Sequence, residues 1–348
     1  MAKYMQITAA GVLICLSALQ AAPAPPSPDP VIKHGLEVRV RDAAEAEYSD
    51  KTKKIGVEFY LDGDGGNGVY IDEAGDLATV AAKLVTPEDV AVKALQWSHG
   101  LALMARKAGE KDFTKETHRY GVEVCVDENN GNYLYVCETG ALSAVAGKLG
   151  VAKAGKDVKP PERKNAMELR VRKAGEPDFN DKTKKIGVEV LLDANNGNIV
   201  YLSETGSIAV LPSKLAKMDE AKREPDWKYG LEMDARKAGE AAFSKDTKRY
   251  GVEVYHDAFA GAVLYVGETG AIAVAPASLS GQTETGAKTK GPEWKRAMEL
   301  DCRKAGEAAF SKASKRFGVE VYFDPNTGNT VYISETGALS IVSAKDPG

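Results

Sequence analysis

The chain has 348 residues, of which 43% are hydrophobic and 28% are charged, and its formal net charge is −4. This composition is typical of a soluble globular protein with enough apolar residues for a sizeable core. The small net charge gives no indication of a nucleic-acid or membrane partner.

Residues 1–21 have the layout of a secretory signal peptide. Lys3 supplies a positive charge, an apolar run spans residues 7–19, and small residues surround Ala21. The apolar run is too short for a membrane-spanning helix, which needs about 20 residues. We expect cleavage after Ala21, no transmembrane segment in the mature chain, and a secreted or periplasmic, cell-envelope location. Residues 22–34 are rich in proline and predict an extended tether.

One sequence pattern recurs about every 65 residues, which indicates a repeat architecture. Its most regular position is a glycine: Gly56, Gly121, Gly187, Gly251 and Gly318. The five copies span residues 35–80, 100–145, 165–211, 229–275 and 296–342, with joints between them. The first copy is the most divergent, as terminal repeats often are.

Each copy predicts a four-stranded antiparallel meander. Leu36 and Val38 alternate with Glu37 and Arg39, which is typical of a half-buried strand. Glycines in the two following turns supply the positive φ that tight hairpins need. A short helical turn is expected between the first two strands, with an aromatic residue filling the core. These residues are Tyr48, Phe113, Phe179, Phe243 and Phe310. We further expect Trp97, Trp227 and Trp294 to dock the joints onto the sheets, and a short helix at Pro87 in the first joint.

The sequence therefore predicts an all-β protein of five tandem four-stranded repeats. Two architectures fit. The first is a five-bladed β-propeller, which protects strand edges by radial repetition. The alternative is a string of small β-modules. The long polar joints and the charged strand faces favour this alternative. Residues such as Arg41 and Glu58 satisfy one another between blades if the ring closes.

The spacing of acidic residues in the first copy suggests a calcium site. Asp62, Asp64 and Glu73 occupy positions 1, 3 and 12 of a segment that resembles a twelve-residue calcium loop. Asn67 stands where such loops carry glycine, and no helices flank the segment. A β-hairpin whose aspartate bonds to its own turn explains the same residues without metal, and we favour it. The sequence predicts no cofactor, with Ca²⁺ as the alternative.

Two sets of residues are predicted to form an outward binding face. The third strands carry Tyr70, Tyr135, Tyr201, Tyr265 and Tyr332. The second strands carry Glu58, Glu123, Glu189, Glu253 and Glu320. Exposed aromatic residues beside carboxylates are what a carbohydrate-binding face offers. The same tyrosines also suit packing of one repeat on the next.

The signals for catalysis and for disulfides are weak. No hydrolase, zinc-protease or dinucleotide-binding motif is present, and no histidine recurs in all copies. The mature chain keeps Cys125, Cys137 and Cys302, an odd number that does not predict a disulfide framework. We expect three independent small residues rather than a Cys125–Cys137 bridge.

Residues 35–342 resemble tandem β-repeats of uncharacterised exported bacterial proteins. They are only loosely similar to propeller families, and the Gly-His and Trp-Asp marks of WD40 repeats are missing. The resemblance implies no catalytic or binding residues. The sequence favours a secreted, non-catalytic binding or scaffold module whose partner is an extracellular glycan or an envelope protein. The alternative is a calcium-binding or enzymatic propeller with a site in one divergent copy.

Overall fold

The computed structural model describes residues 29–63, 66–81, 93–147, 149, 158–280 and 289–343. The predicted signal peptide, Asp64 and the predicted helix at Pro87 lie outside these ranges.

The described chain forms twenty strands, four in each repeat, and each repeat is called a blade below. Blade 1 comprises β1 (Val31–Val40), β2 (Lys53–Leu61), β3 (Gly68–Asp72) and β4 (Leu77–Val80). Blade 2 comprises β5 (Gln96–Ala105), β6 (His118–Asp127), β7 (Asn132–Cys137) and β8 (Leu142–Val145). Blade 3 comprises β9 (Glu162–Val171), β10 (Lys184–Leu192), β11 (Ile199–Ser203) and β12 (Ile208–Leu211). Blade 4 comprises β13 (Asp226–Ala235), β14 (Lys248–Asp257), β15 (Ala262–Gly267) and β16 (Ile272–Pro276). Blade 5 comprises β17 (Glu293–Cys302), β18 (Lys315–Phe323), β19 (Thr330–Ser334) and β20 (Leu339–Val342).

The five sheets form a ring, so the prediction of a five-bladed β-propeller is confirmed. Within every blade the strands are hydrogen-bonded in sequence order and run antiparallel. Each fourth strand contacts the fourth strands of both neighbouring blades, and β20 contacts β4 to close the ring. The fourth strands therefore surround the axis, and the first strands form the outer edges of the blades.

The hydrophobic core lies between blades as much as within them. Val188 and Val190 of blade 3 belong to one buried cluster with Tyr255 and Leu264 of blade 4. A four-stranded sheet of this size buries too little surface to be stable alone. Each blade therefore depends on its neighbours, because both of its faces are covered by them.

At the repeated glycine of the second strand, the backbones of two neighbouring blades lie in close contact. A Cβ atom on Gly187 would lie 2.3 Å from the carbonyl oxygen of Arg106 in the preceding blade. The corresponding distances at the other four glycines are 2.0–2.2 Å. The position needs glycine because any side chain would collide with the neighbouring backbone.

The turns after the second strands follow the prediction, whereas two local predictions were wrong. The turn glycine of blade 2, Gly131, has a φ of 77°, and its four counterparts also have positive φ.

No helical turn is present between the first and second strands in the described ranges. Strand β1 already begins at Val31, inside the stretch predicted to be a tether, because it pairs with β2 over its whole length.

Candidate functional site

A buried arginine–glutamate pair crosses every junction between blades. The arginine directly follows the first strand of one blade, and the glutamate lies in the second strand of the next blade. The pairs are Arg41–Glu123, Arg106–Glu189, Arg172–Glu253, Arg236–Glu320 and Arg303–Glu58, at 2.6–2.7 Å. The glutamates are 1–2% exposed, so their prediction as outward binding residues was wrong. The opposite charges do satisfy one another between blades, but Arg41 pairs with Glu123 rather than with Glu58.

The predicted outward tyrosines are also buried, and each donates a hydrogen bond to the next blade. All five are 0% exposed. Their hydroxyls meet turn aspartates at 2.6–3.0 Å in the pairs Tyr70–Asp127, Tyr135–Asp193, Tyr201–Asp257, Tyr265–Asp324 and Tyr332–Asp62. Burial raises the pKa of Tyr70 well above its usual value, so the phenol stays a donor. Their prediction as exposed contacts was wrong, because both faces of a blade are covered.

The turn aspartates differ in the hydrogen bonds that they accept from side chains of the first strands. Asp127 also accepts a hydrogen bond from Nε2 of His34 at 2.8 Å, and Asp193 from His99 at 2.8 Å. Burial alone would raise the pKa of Asp193, but the hydrogen bond and charge of His99 hold it below its usual value. Burial raises the pKa of Asp257, which has Tyr201 as its hydrogen-bonding side chain.

The two described residues of the predicted calcium loop have separate hydrogen-bond partners. Asp62 accepts from Arg296 and from the Tyr332 hydroxyl. Glu73 accepts from the backbone N–H of Ala305 at 3.0 Å. Among the described residues no group of three or more potential metal-ligating side chains is found. A β-hairpin joins β2 and β3 here, and the backbone N–H of Asp62 donates to the carbonyl of Asn67 at 2.9 Å.

The aromatic residues that were expected to fill the core lie instead at the outer rim. At the junction of blades 3 and 4, the rings of Phe179 and Trp227 meet edge to face with centroids 5.5 Å apart. The guanidinium of Arg172 lies 4.8 Å from the Phe179 centroid. The indole Nε1 of Trp227 donates to Glu253 at 2.7 Å, and 38% of Trp227 is exposed. We call this group of aromatic rings over the arginine–glutamate pair a perimeter platform.

The platform recurs around the ring with two natural variations. The rim residues are Tyr48 and Trp97, Phe113 and Arg163, Phe179 and Trp227, Phe243 and Trp294, and Phe310 and Ile32. The tryptophans that were expected to dock the joints lie in the first strands and donate hydrogen bonds to the buried glutamates. The signal that identifies these residues is an aromatic position repeated in all copies, which resembles the pattern of a core residue.

The axis of the ring offers little space. Its middle is lined by the fourth strands, with Leu77, Leu142 and Ile208 among the contacts. Near the joints the axis widens into an apolar cavity of about 90 Å³ that includes Pro212, Leu215 and Leu279. The cavity is far smaller than typical small-molecule sites of about 300–1,000 Å³.

The three described cysteines are buried free thiols, as the preferred interpretation predicted. Cys125 packs in the cluster shared by blades 1 and 2, whereas Cys137 packs in the cluster shared by blades 2 and 3. The two side chains therefore leave opposite faces of one sheet. Burial raises the pKa of Cys125 to about 12, which keeps it protonated.

Comparison with known proteins gives no family. No family model, no curated protein and no solved structure matches the chain. Among the described residues there is no helix with the length and apolar character needed to span a membrane.

Proposed function

We propose that the protein is a rigid, non-catalytic binding module for an extracellular polymer or envelope component, and that the perimeter platforms are its contact sites. The observation that carries the proposal is an exposed aromatic side chain at every blade junction, with two aromatic rings in contact at three of the five junctions. Trp97, Trp227 and Trp294 are 38–46% exposed, and Phe113, Phe243 and Phe310 are 37–45% exposed.

The chemistry of a platform suits a sugar-containing ligand. An aromatic ring offers an apolar face, and the indole N–H and the guanidinium are polar groups beside it. At the junction of blades 4 and 5, Arg236 lies 4.6 Å from the Phe243 centroid and 5.7 Å from the Trp294 centroid. The buried arginine–glutamate pair fixes the platform, so a ligand meets a surface that is already ordered.

The repetition of the platform favours a polymer over a single small molecule. The platforms occupy equivalent positions of a closed ring, so their separations are fixed. A chain with repeated units contacts neighbouring platforms together, and the second contact is then intramolecular. Avidity of this kind exceeds single-site affinity by about 10²–10⁴ in known cases. A partner outside the cytoplasm agrees with the predicted signal peptide, and fractionation of cells that make the full chain tests this location.

The test combines a glycan array with co-sedimentation on insoluble polysaccharides such as chitin and peptidoglycan. Trp227→Ile and Trp294→Ile copy Ile32, the residue that the junction of blades 5 and 1 carries naturally. We expect each single variant to weaken binding several-fold and the double variant to weaken it by much more. Met218→Ala, which removes an exposed apolar residue of a joint, is the matched control. Unchanged binding by the double variant, or turnover of a substrate by the protein, contradicts the proposal.

A further inference from the structure

The junction of blades 1 and 2 lacks a hydrogen bond that the other four junctions share. In those four, a threonine in the turn before the fourth strand donates to the carbonyl of a turn glycine in the next blade. The pairs are Thr139–Gly206, Thr205–Gly270, Thr269–Gly337 and Thr336–Gly75, at 3.2–3.4 Å. Blade 1 carries Ala74 at the threonine position, so no hydroxyl reaches the carbonyl of Gly140 from there.

A carboxylate takes the place of the missing threonine. A Cβ atom on Gly140 would lie 2.9 Å from Oδ2 of Asp72 and 3.6 Å from Oδ2 of Asp76. The equivalent point over Gly270 lies 2.7–2.8 Å from the side chain of Thr205. Both carboxylates of blade 1 therefore face the Gly140 turn where a hydroxyl stands at the other junctions.

One of these oxygen atoms is buried without a partner. Oδ1 of Asp72 accepts from the backbone N–H groups of Ala74 and Asp76 at 2.8 Å. Among the described residues, no donor reaches Oδ2 of Asp72, and the residue is 1% exposed. A buried acceptor without a donor costs about 1–3 kcal/mol, and more when it is charged. The other blades avoid this cost, because they carry Cys137, Ser203, Gly267 and Ser334 at this position.

In the part of the chain that the structure describes, the charged groups around Asp72 and Asp76 do not supply the missing donor. The Lys53 ammonium donates to the carbonyl of Glu138 at 2.9 Å, as its counterparts do in other blades. The Glu138 carboxylate accepts from the N–H groups of Ala43 and Gly121, and His118 lies 3.9 Å from it. Burial, with the charge of Asp76, raises the pKa of Asp72 to about 7. Burial also raises the pKa of Asp76, which Lys53 partly opposes.

We propose that the carboxylates of Asp72 and Asp76 and the carbonyl of Gly140 bind a hard divalent cation at the junction of blades 1 and 2, with Ca²⁺ as the probe. Oxygen-only donors of this kind suit Ca²⁺, which accepts carboxylate and backbone oxygens in flexible geometry and completes its shell with water. At this junction the cation connects the turn of blade 1 to the turn of blade 2. At the other junctions the hydrogen bond from the threonine hydroxyl makes this connection. The site is distinct from the predicted twelve-residue loop, because Asp62 and Glu73 are bonded to blade 5.

The test uses the full chain, freed of metal with chelator at pH 8, which is above the pKa of about 7 for Asp72. CaCl2 is titrated while heat and Tm are measured. We expect saturable heat and a rise in Tm of roughly 5 °C at a hundredfold excess over Kd, because the cation binds the folded state. Asp76→Asn abolishes both signals. Asp301→Asn, which changes a partly exposed carboxylate paired with Arg316, leaves them intact.

A second variant keeps the test decisive if Asp76→Asn folds poorly. Asp72→Ser with Ala74→Thr restores the Ser-Glu-Thr-Gly turn of blades 3 and 5, so the junction regains its hydroxyl. We expect this double variant to fold, to match or exceed the Tm of the metal-free chain, and to show no response to CaCl2. If the native chain shows neither heat nor a Tm change with CaCl2 at pH 8, a proton occupies the site and the proposal fails. It fails equally if the double variant keeps the full calcium response.

Discussion

Arg303 of the last blade and Glu58 of the first form a two-pronged ion pair that closes the ring. Nε of Arg303 lies 2.6 Å from Oε1 of Glu58, and Nη2 lies 3.1 Å from Oε2. The two residues are 245 positions apart in the chain. The same pair recurs between neighbouring copies at the other four junctions, so closure repeats the contact that joins consecutive blades.

Arg303→Ala should destabilise the whole ring. It leaves the Glu58 carboxylate buried without its partner, and breaking a buried pair in this way costs about 3–5 kcal/mol. Denaturant unfolding measures the change. Arg249→Ala is the control, because Arg249 pairs with Asp234 at the surface and its loss should change stability little. Equal losses of unfolding free energy in the two variants would show that the Arg303–Glu58 pair stabilises the protein no more than a surface ion pair does.

Gly187→Ala should destabilise the junction of blades 2 and 3 by about 1–3 kcal/mol, because the added methyl group collides with the Arg106 carbonyl. The backbone has to move, since the contact is not with a flexible side chain. Thermal unfolding measures the effect. Gly291→Ala is the matched control, since no atom lies within 4 Å of the added Cβ, and it should leave Tm almost unchanged. A variant at Gly187 as stable as the control would contradict the close approach.

His99→Asn should make the protein less stable at neutral pH. The folded-state pKa of Asp193 is lowered by His99, so the pair stabilises the fold above the unfolded pKa of aspartate and loses this effect as the pH falls through the folded value. We expect a loss of about 1–3 kcal/mol at pH 7 that shrinks below about pH 4. Urea unfolding at several pH values measures it.

His118→Asn is the control for that experiment. His118 is largely exposed and lies 3.9 Å from Glu138, so its replacement should have little effect at any pH. A loss at His99 that does not change with pH would point to packing rather than to the charge of Asp193.

Without divalent cations, the native chain should lose stability as the pH rises from about 5 to 8. The folded-state pKa of Asp72 is raised to about 7, so the folded protein holds a proton that the unfolded chain releases near pH 4. The double variant Asp72→Ser with Ala74→Thr lacks this titrating carboxyl group. Its free energy of unfolding should therefore fall by roughly 2 kcal/mol less than that of the native chain between pH 5 and pH 8. Urea unfolding in chelator at pH 5 and pH 8 measures the difference. Parallel pH profiles for the two proteins would show that Asp72 does not titrate in this range.

Much of the fold was predictable because it depends on local pattern. The alternation of Leu36 and Val38 with charged residues predicts a strand, and glycines such as Gly131 predict the turns. The recurrence of Gly187 and its counterparts predicts five units. None of these signals requires knowledge of what a blade packs against.

The proposed contact residues were harder to predict, because exposure depends on the neighbouring blade. Glu189 and Tyr135 occupy polar-looking positions, yet both are buried, since Arg106 and Asp193 of adjacent blades satisfy them. Phe243 looks like a core residue, yet 41% of it is exposed at the rim.

The sequence by itself determined the repeat, the four strands of each copy and the turns that join them. The tertiary structure decided which polar residues are buried and which aromatic residues face solvent. The physical reason is that ring closure covers both faces of every sheet. A period of two along a strand distinguishes its two faces, but it does not show that Arg303 of the last copy covers Glu58 of the first.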